Sequence, residues 1–250
     1  MENHHGQNDR KEAHQIVVVM VPLPAQGHLN QLLHLSRHIS SYGIPVHYVG
    51  TTTHSRQAKL RIHGWDPLAA TNIHFHEFPT PSFLSPPPNP NVSFPSHILP
   101  LFYASLRLRE PVGTLLRSLS TTTTRVVVIH DSVMASVVQD VPSIPNAESY
   151  SFVSISAFAI SSFHRETGSP IPIEPEILKE APSIESCVTS EQEIVTSLVV
   201  ENAVKKLMAS TEGDEIRKRA ADLGGSIRQS VEDGGVTRME LDSFITHITR

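Results

Sequence analysis

Apolar residues follow two different periods along this chain. Residues 16–21 (IVVVMV) and 125–130 (RVVVIH) are nearly unbroken apolar runs with no polar side to turn toward water. Runs of this kind predict strands buried on both faces of a parallel sheet. Leu29, Leu32, Leu33, Leu35 and Ile39 instead recur mostly at helical spacing, and Tyr42 and Gly43 mark a stop, so a helix is predicted over 29–41. IPVHYVG (44–50) predicts a second strand, HSRQAKLRIHG (54–64) a second helix, and NIHFHEF (72–78) a third strand with alternating apolar residues. The resulting order is βαβαβ, the start of a doubly wound α/β fold.

Eight of the nineteen prolines lie between residues 79 and 100, which predicts a long exposed loop. A helical segment over 96–119, the strand 125–130 and a fifth strand at AESYSFVSIS (147–156) continue the alternation to about residue 165. The proline-rich stretch beyond Gly168 reads as a linker. Residues 201–240 then carry fifteen charged side chains, with Ile216, Ala220, Leu223, Ile227 and Val231 on one helical face. Thr211 to Asp214 has the form of a capping box opening that helix. The expected organisation is a disordered terminus (1–14), a Rossmann-like domain (15–166), a linker (167–193) and a helical tail (194–250).

Composition narrows the classes of function. With 39% hydrophobic residues and a net charge of −5, the chain suits one large or two small soluble domains and argues against a nucleic-acid partner. Its longest apolar runs fall far short of the roughly 20 residues a spanning helix needs. The polar first fifteen residues lack a secretory signal, so a cytoplasmic location is expected. Cys187 is the only cysteine, which excludes an internal disulfide and a multi-cysteine zinc site. No metal or bound cofactor is expected, and chemistry falls to imidazoles, carboxylates and hydroxyls.

In an open parallel sheet, ligands bind at the carboxyl ends of the strands. His28 follows the first strand where a helix begins, in VPLPAQGHLNQ, and Asp131 follows the strand 125–130. If those strands are neighbours, the carboxylate can fix the tautomer of the imidazole while the other ring nitrogen faces a substrate hydroxyl. Against this stands a plainer reading. A histidine near a helix start is often a surface residue, and an aspartate after a strand is often only an N-cap. Spacing leaves both open.

Residue identity adds to this. VPLPAQGHLNQLLHLSRHIS (21–40), VVVIHDSVMASVVQDVPSIPNAESYSFVSISAF (126–158) and the tail from VENAVKKL onward together resemble the plant UDP-dependent glycosyltransferases of small molecules, and within them the zeatin (cytokinin) O-glucosyltransferases. The resemblance implies a GT-B fold of two facing Rossmann-like halves, the N-terminal one binding the acceptor and the C-terminal one the sugar nucleotide. It implies that His28, in the Pro-x-Gln-Gly-His turn, is the catalytic base and contacts the acceptor, and that Asp131 assists it. It also implies inverting transfer of glucose from UDP-glucose to a small hydroxylated acceptor such as zeatin, with the UDP-sugar a co-substrate.

The family's donor-binding signature contains a His-Cys-Gly-Trp-Asn-Ser core. Here the only tryptophan is Trp65, Cys187 lies in ESCVTS, and no histidine occurs between His164 and His247. No donor-binding residue is identifiable. Similarity to the N-terminal half runs to about Glu191 and resumes from about Glu193 as the family's C-terminal end, so an internal deletion of most of the donor domain is expected. Two functions then compete: a glycosyltransferase, impaired as written, and an inactive acceptor-binding or partner-binding fragment. Deletion would leave Ile216, Leu223 and Ile227 exposed or self-associating.

Other features weigh less. A dinucleotide-binding oxidoreductase would need Gly-x-Gly-x-x-Gly where the chain has PAQGHLNQ. His74 and His76 share a strand face, expected to be solvated, and no third metal ligand is apparent. His130 and Ser132 flank Asp131, but neighbours on an extended chain point to opposite sides, and no Gly-x-Ser-x-Gly elbow is present. VEDGG (231–235) reads as a solvated helix end.

Overall fold

A computed structural model describes residues 16–62, 72–80, 84, 86–87, 99–155 and 196–250. The polar N-terminus, Trp65, most of the proline-rich loop, His164, the expected linker 167–193 and Cys187 lie outside the described residues. The chain divides into two compact units, residues 1–154 and 155–250.

In the first unit, β1 (Ile16–Val21), α1 (Gln26–Ser41), β2 (Val46–Thr51), α2 (Thr52–Arg61) and β3 (Ile73–Phe78) follow in that order. They are followed by α3 (Leu99–Ser105), α4 (Arg109–Ser120), β4 (Arg125–Asp131) and β5 (Ala147–Phe152). The five strands form one sheet in the order β3-β2-β1-β4-β5, and every pairing is parallel. The order reverses between β1 and β4, where Val21 stands opposite His130. That reversal is the switch point at which open α/β sheets bind ligands, just beyond the carboxyl ends of the strands.

The buried runs read from the sequence are the centre of the core. Val17 through Val21 are at most 3% exposed, as a central strand covered on both faces requires. Alternation sends Val17, Val19 and Val21, with Val126 and Val128, into one cluster beside Val112 and Leu116 of α4. Leu29, Leu32, Leu33 and Ile39 are the buried stripe of α1. Each such buried side chain contributes about 1.5–3 kcal/mol. Gly43 closes α1 at φ +77°, donating its N–H to the Ser40 carbonyl, in a conformation that favours glycine.

Several expected boundaries shift. The helix expected over 96–119 is interrupted at residues 106–108 by a tighter 3₁₀ turn. β5 ends at Phe152 rather than 156, and α2 occupies 52–61 rather than 54–64, with Thr51 as its N-cap. β5 stops where the pairing with β4 runs out, at Asp131 opposite Phe152.

Among its described residues the second unit has the helices α5 (Ser197–Ala209), α6 (Thr211–Val231) and α7 (Val236–Thr249) and no strand. The capping box expected over Thr211 to Asp214 does not form; the N-cap is Ser210, one residue earlier, and Gly213 at N3 has no side chain to return a bond. Ser210 is extended at φ −126°, ψ 157°, and its hydroxyl accepts the Gly213 N–H at 3.0 Å, whereas Thr211 already lies within the helix. Gly213 is the buried residue of α6, and a Cβ there would collide with the carbonyls of Lys206 and Leu207. Leu223, Ile227 and Val231 are each more than half exposed, as expected of a stripe without a sheet to cover it. Among the described residues no helix is long and apolar enough to cross a membrane.

Candidate functional site

Pro22 and Pro24 have no N–H to donate and keep the chain after β1 out of regular pairing until α1 begins. Ala25 is the N-cap, extended and without a side-chain cap, and its carbonyl accepts the N–H groups of His28 and Leu29 at 2.9 Å. His28 therefore sits in the first turn of α1, over the carboxyl end of β1. Tyr48 of β2 fixes that turn from beneath by donating its hydroxyl to the Leu29 carbonyl at 2.9 Å. Burial holds the Tyr48 phenol far above its ordinary range, so it stays a donor, and the nearby Arg61 charge only partly opposes that.

Asp131 is the last residue of β4 and the N-cap of a 3₁₀ turn over 132–137. One carboxylate oxygen, Oδ1, accepts the Val133 N–H at 3.1 Å, and the other, Oδ2, lies 2.6 Å from His28 Nδ1. The capping role and the pairing with histidine are thus both real, one for each oxygen. Asp131 is fully buried, while the His28 side chain is 30% exposed. A carboxylate can only accept, so Nδ1 carries the proton and Nε2 presents its lone pair. A hydroxyl within hydrogen-bond reach of Nε2 can give up its proton to it.

A third group meets this pair. Ser154, two residues beyond β5, places its Oγ 2.9 Å from His28 Nδ1, and its carbonyl accepts from Gln31 Nε2 of α1 at 3.2 Å. Sequence reasoning did not single it out. Residues 149–156 contain four serines, at 149, 151, 154 and 156, and no periodicity tells which one reaches the imidazole.

The remaining histidines have other roles. His130 is 7% exposed and donates Nδ1–H to the Asp131 carbonyl at 2.8 Å, apart from the carboxylate. The His74 and His76 face is not simply solvated. His76 Nε2 lies 2.8 Å from His47 Nδ1 on the neighbouring strand, with the two rings stacked. The expectation holds for His74, which is exposed, and only in part for His76, because strand pairing brings His47, distant in sequence, onto the same face. Burial first, and then the charge of His74, push the His76 imidazole below its ordinary range. Among the described residues no group of three or more His, Cys, Asp or Glu side chains is arranged to hold a metal ion.

A family model described as "Glycosyltransferase, N-terminal domain" matches residues 14–219, most of the chain. The chain belongs to this glycosyltransferase family. The match runs across residues 191–193, so its extent does not mark the junction expected there. Among the family's curated relatives, a zeatin O-glucosyltransferase of Phaseolus lunatus is 54% identical over 187 residues, covering 74% of this chain and 40% of its own length. A zeatin O-xylosyltransferase of Phaseolus vulgaris is 49% identical over 177 residues, covering 70% of this chain and 38% of its own. The matched part of this glycosyltransferase-family chain therefore spans about 40% of the length of these two relatives. It is also similar to the crystal structure of Arabidopsis thaliana UGT89C1 complexed with UDP, at 21% identity and a TM-score of 0.45, over 58% of this chain and 38% of that one.

Proposed function

We propose that the sheet unit is the acceptor-binding half of a GT-B UDP-glycosyltransferase, with His28 as general base and Asp131 as the group that orients it. The observation that carries this is the 2.6 Å contact between His28 Nδ1 and the buried Asp131 Oδ2 at the switch point of the sheet. In the reaction, His28 Nε2 takes the proton of the acceptor hydroxyl as that oxygen attacks the anomeric carbon of glucose. The bond from that carbon to the UDP oxygen breaks, UDP leaves with the bonding pair, and the anomeric configuration inverts. Asp131 steadies the imidazolium formed in that step. The identities of 54% and 49% to a zeatin O-glucosyltransferase and a zeatin O-xylosyltransferase support a cytokinin-like hydroxylated acceptor. A cytoplasmic setting belongs to the same proposal and agrees with a single cysteine.

A chimera tests this reading. Residues 16–154 of this chain replace the matching residues of the Phaseolus lunatus relative, with and without His28→Ala. The chimera is expected to transfer glucose to zeatin, and the variant to lose about 10²- to 10⁴-fold in kcat, the range for a positioned general base. Turnover undiminished in the variant would remove His28 from its role.

A second reading is favoured by one observation: the donor signature is absent from these 250 residues. Under it, the chain binds acceptors without transferring sugar, and the exposed apolar residues of α5 and α6 support self-association. Micromolar binding of UDP-glucose by the 250-residue chain would exclude this reading.

A further inference from the structure

We infer that Ser154 is a third member of the His28–Asp131 group: a positioning residue whose hydroxyl shares the Nδ1 proton and keeps the imidazole in the tautomer that frees Nε2. The inference rests on His28 serving as the base. Ser154 Oγ is 2.9 Å from Nδ1, and Asp131 Oδ2 is 2.6 Å from the same atom. Nδ1 has only one hydrogen. Because the carboxylate can only accept, that hydrogen is on Nδ1, and the Ser154 oxygen must also accept from it. The result is a three-centre bond with a short charged arm and a longer neutral one.

The serine is held for this. Its carbonyl accepts from Gln31 Nε2 at 3.2 Å, one turn along α1 from His28. The segment after β5 is thus tied to the helix that carries the imidazole. β5 is the neighbour of β4, the strand that supplies Asp131. Three elements, α1, β4 and the segment after β5, therefore converge on a single nitrogen. Asp131 is further constrained by its bond to the Val133 N–H, so the carboxylate defines one direction only. A second acceptor on the other side of the N–H limits rotation of the ring about that direction. It also leaves an acceptor in place when the carboxylate and imidazole move apart.

The test uses the full 250-residue chain carrying ¹⁵N-labelled histidine, at a pH where imidazole is neutral. The His28 tautomer is read from its two nitrogen shifts, and exchange of the Nδ1 proton with water from its line width. Wild type is expected to show Nδ1–H. Ser154→Ala should speed that exchange about two- to tenfold, the equivalent of one ordinary hydrogen bond. Ser154→Thr, which restores a hydroxyl, should return it toward wild type. Asp131→Ala should retain a residual Nδ1–H preference that disappears in the double variant with Ser154→Ala.

Exchange unchanged in Ser154→Ala, or altered equally in Ser154→Ala and Ser154→Thr, overturns the inference while leaving the His28–Asp131 pair intact. An Nε2–H tautomer in wild type overturns the inference and the pairing together. Failure of His28 as base appears separately, as undiminished turnover of the His28→Ala chimera, and leaves these spectra unaffected.

Discussion

The sheet unit and helices α5 and α6 of the second unit treat their apolar residues in opposite ways, although Ile245 and Ile248 of α7 are buried. In the sheet unit, β1 and β4 place valines on both faces, and helices cover them until Val18, Val19, Met20, Val126, Val127 and Val128 are completely buried. In the helical unit, α5 and α6 have caps, ion pairs and good helical spacing, yet Leu198, Val199, Leu223 and Ile227 are each more than half exposed. Capping and periodicity suffice to define a helix; a core also needs a second surface. The first unit carries its own second surface as α1 and α4. Among the described residues of the second unit, nothing covers those faces.

Mutations should expose this contrast. Leu32→Ala in α1 removes a fully buried side chain and is expected to lower stability by about 2–5 kcal/mol, read as a fall in the urea midpoint. Asp131→Ala leaves the Val133 N–H without its acceptor and the His28 Nδ1–H without its carboxylate, for an expected loss of about 1–3 kcal/mol in the same measurement. If that loss vanished, the two hydrogen bonds of Asp131 would not contribute to the stability of this unit.

Acidification gives a third way to sharpen the comparison. His54 and His76, both in the sheet unit, are held below the ordinary imidazole value chiefly by burial. A depressed histidine takes up its proton more readily when unfolded. The stability of this unit is therefore full above the unfolded value, about pH 6.5, and is lost as pH falls through the lower folded values. The urea midpoint of the sheet unit should drop over that window, and His76→Asn should flatten part of the drop. The smallest effect belongs to α6, where Ile227→Ser is expected to change stability by about 0.5 kcal/mol or less. A cost near that of Leu32→Ala would show that the α6 face is covered after all.

Much of the sheet unit was legible because its signals are local. An uninterrupted apolar run such as 16–21 admits few conformations, and the proline pair at 22 and 24 forces the turn that delivers His28 to the start of α1. His28 and Asp131 could both be named because each stands at the carboxyl end of an apolar run, Asp131 next to it and His28 at the helix start that follows. Element ends were less legible. The interruption at 106–108 has a local mark that the sequence reading passed over, Pro111, which has no N–H for the Arg107 carbonyl, whereas the early end of β5 depends on where its pairing with β4 runs out. The cap of α6 fell to Ser210 because backbone conformation, which composition does not report, decides which of two adjacent hydroxyls stands outside the helix.

By itself the sequence determined the order of strands and helices and the buried valine core, and it named the two residues on which the proposed mechanism rests. Only the tertiary structure decided that β1 lies beside β4, and that one adjacency makes His28 and Asp131, 103 residues apart, into a pair. It also decided that Ser154 joins them and that His47 meets His76. The physical reason is the same in each case. Secondary structure follows from the period of neighbouring residues, whereas a contact at 2.6 Å depends on which strands share hydrogen bonds, a choice made by the whole core at once.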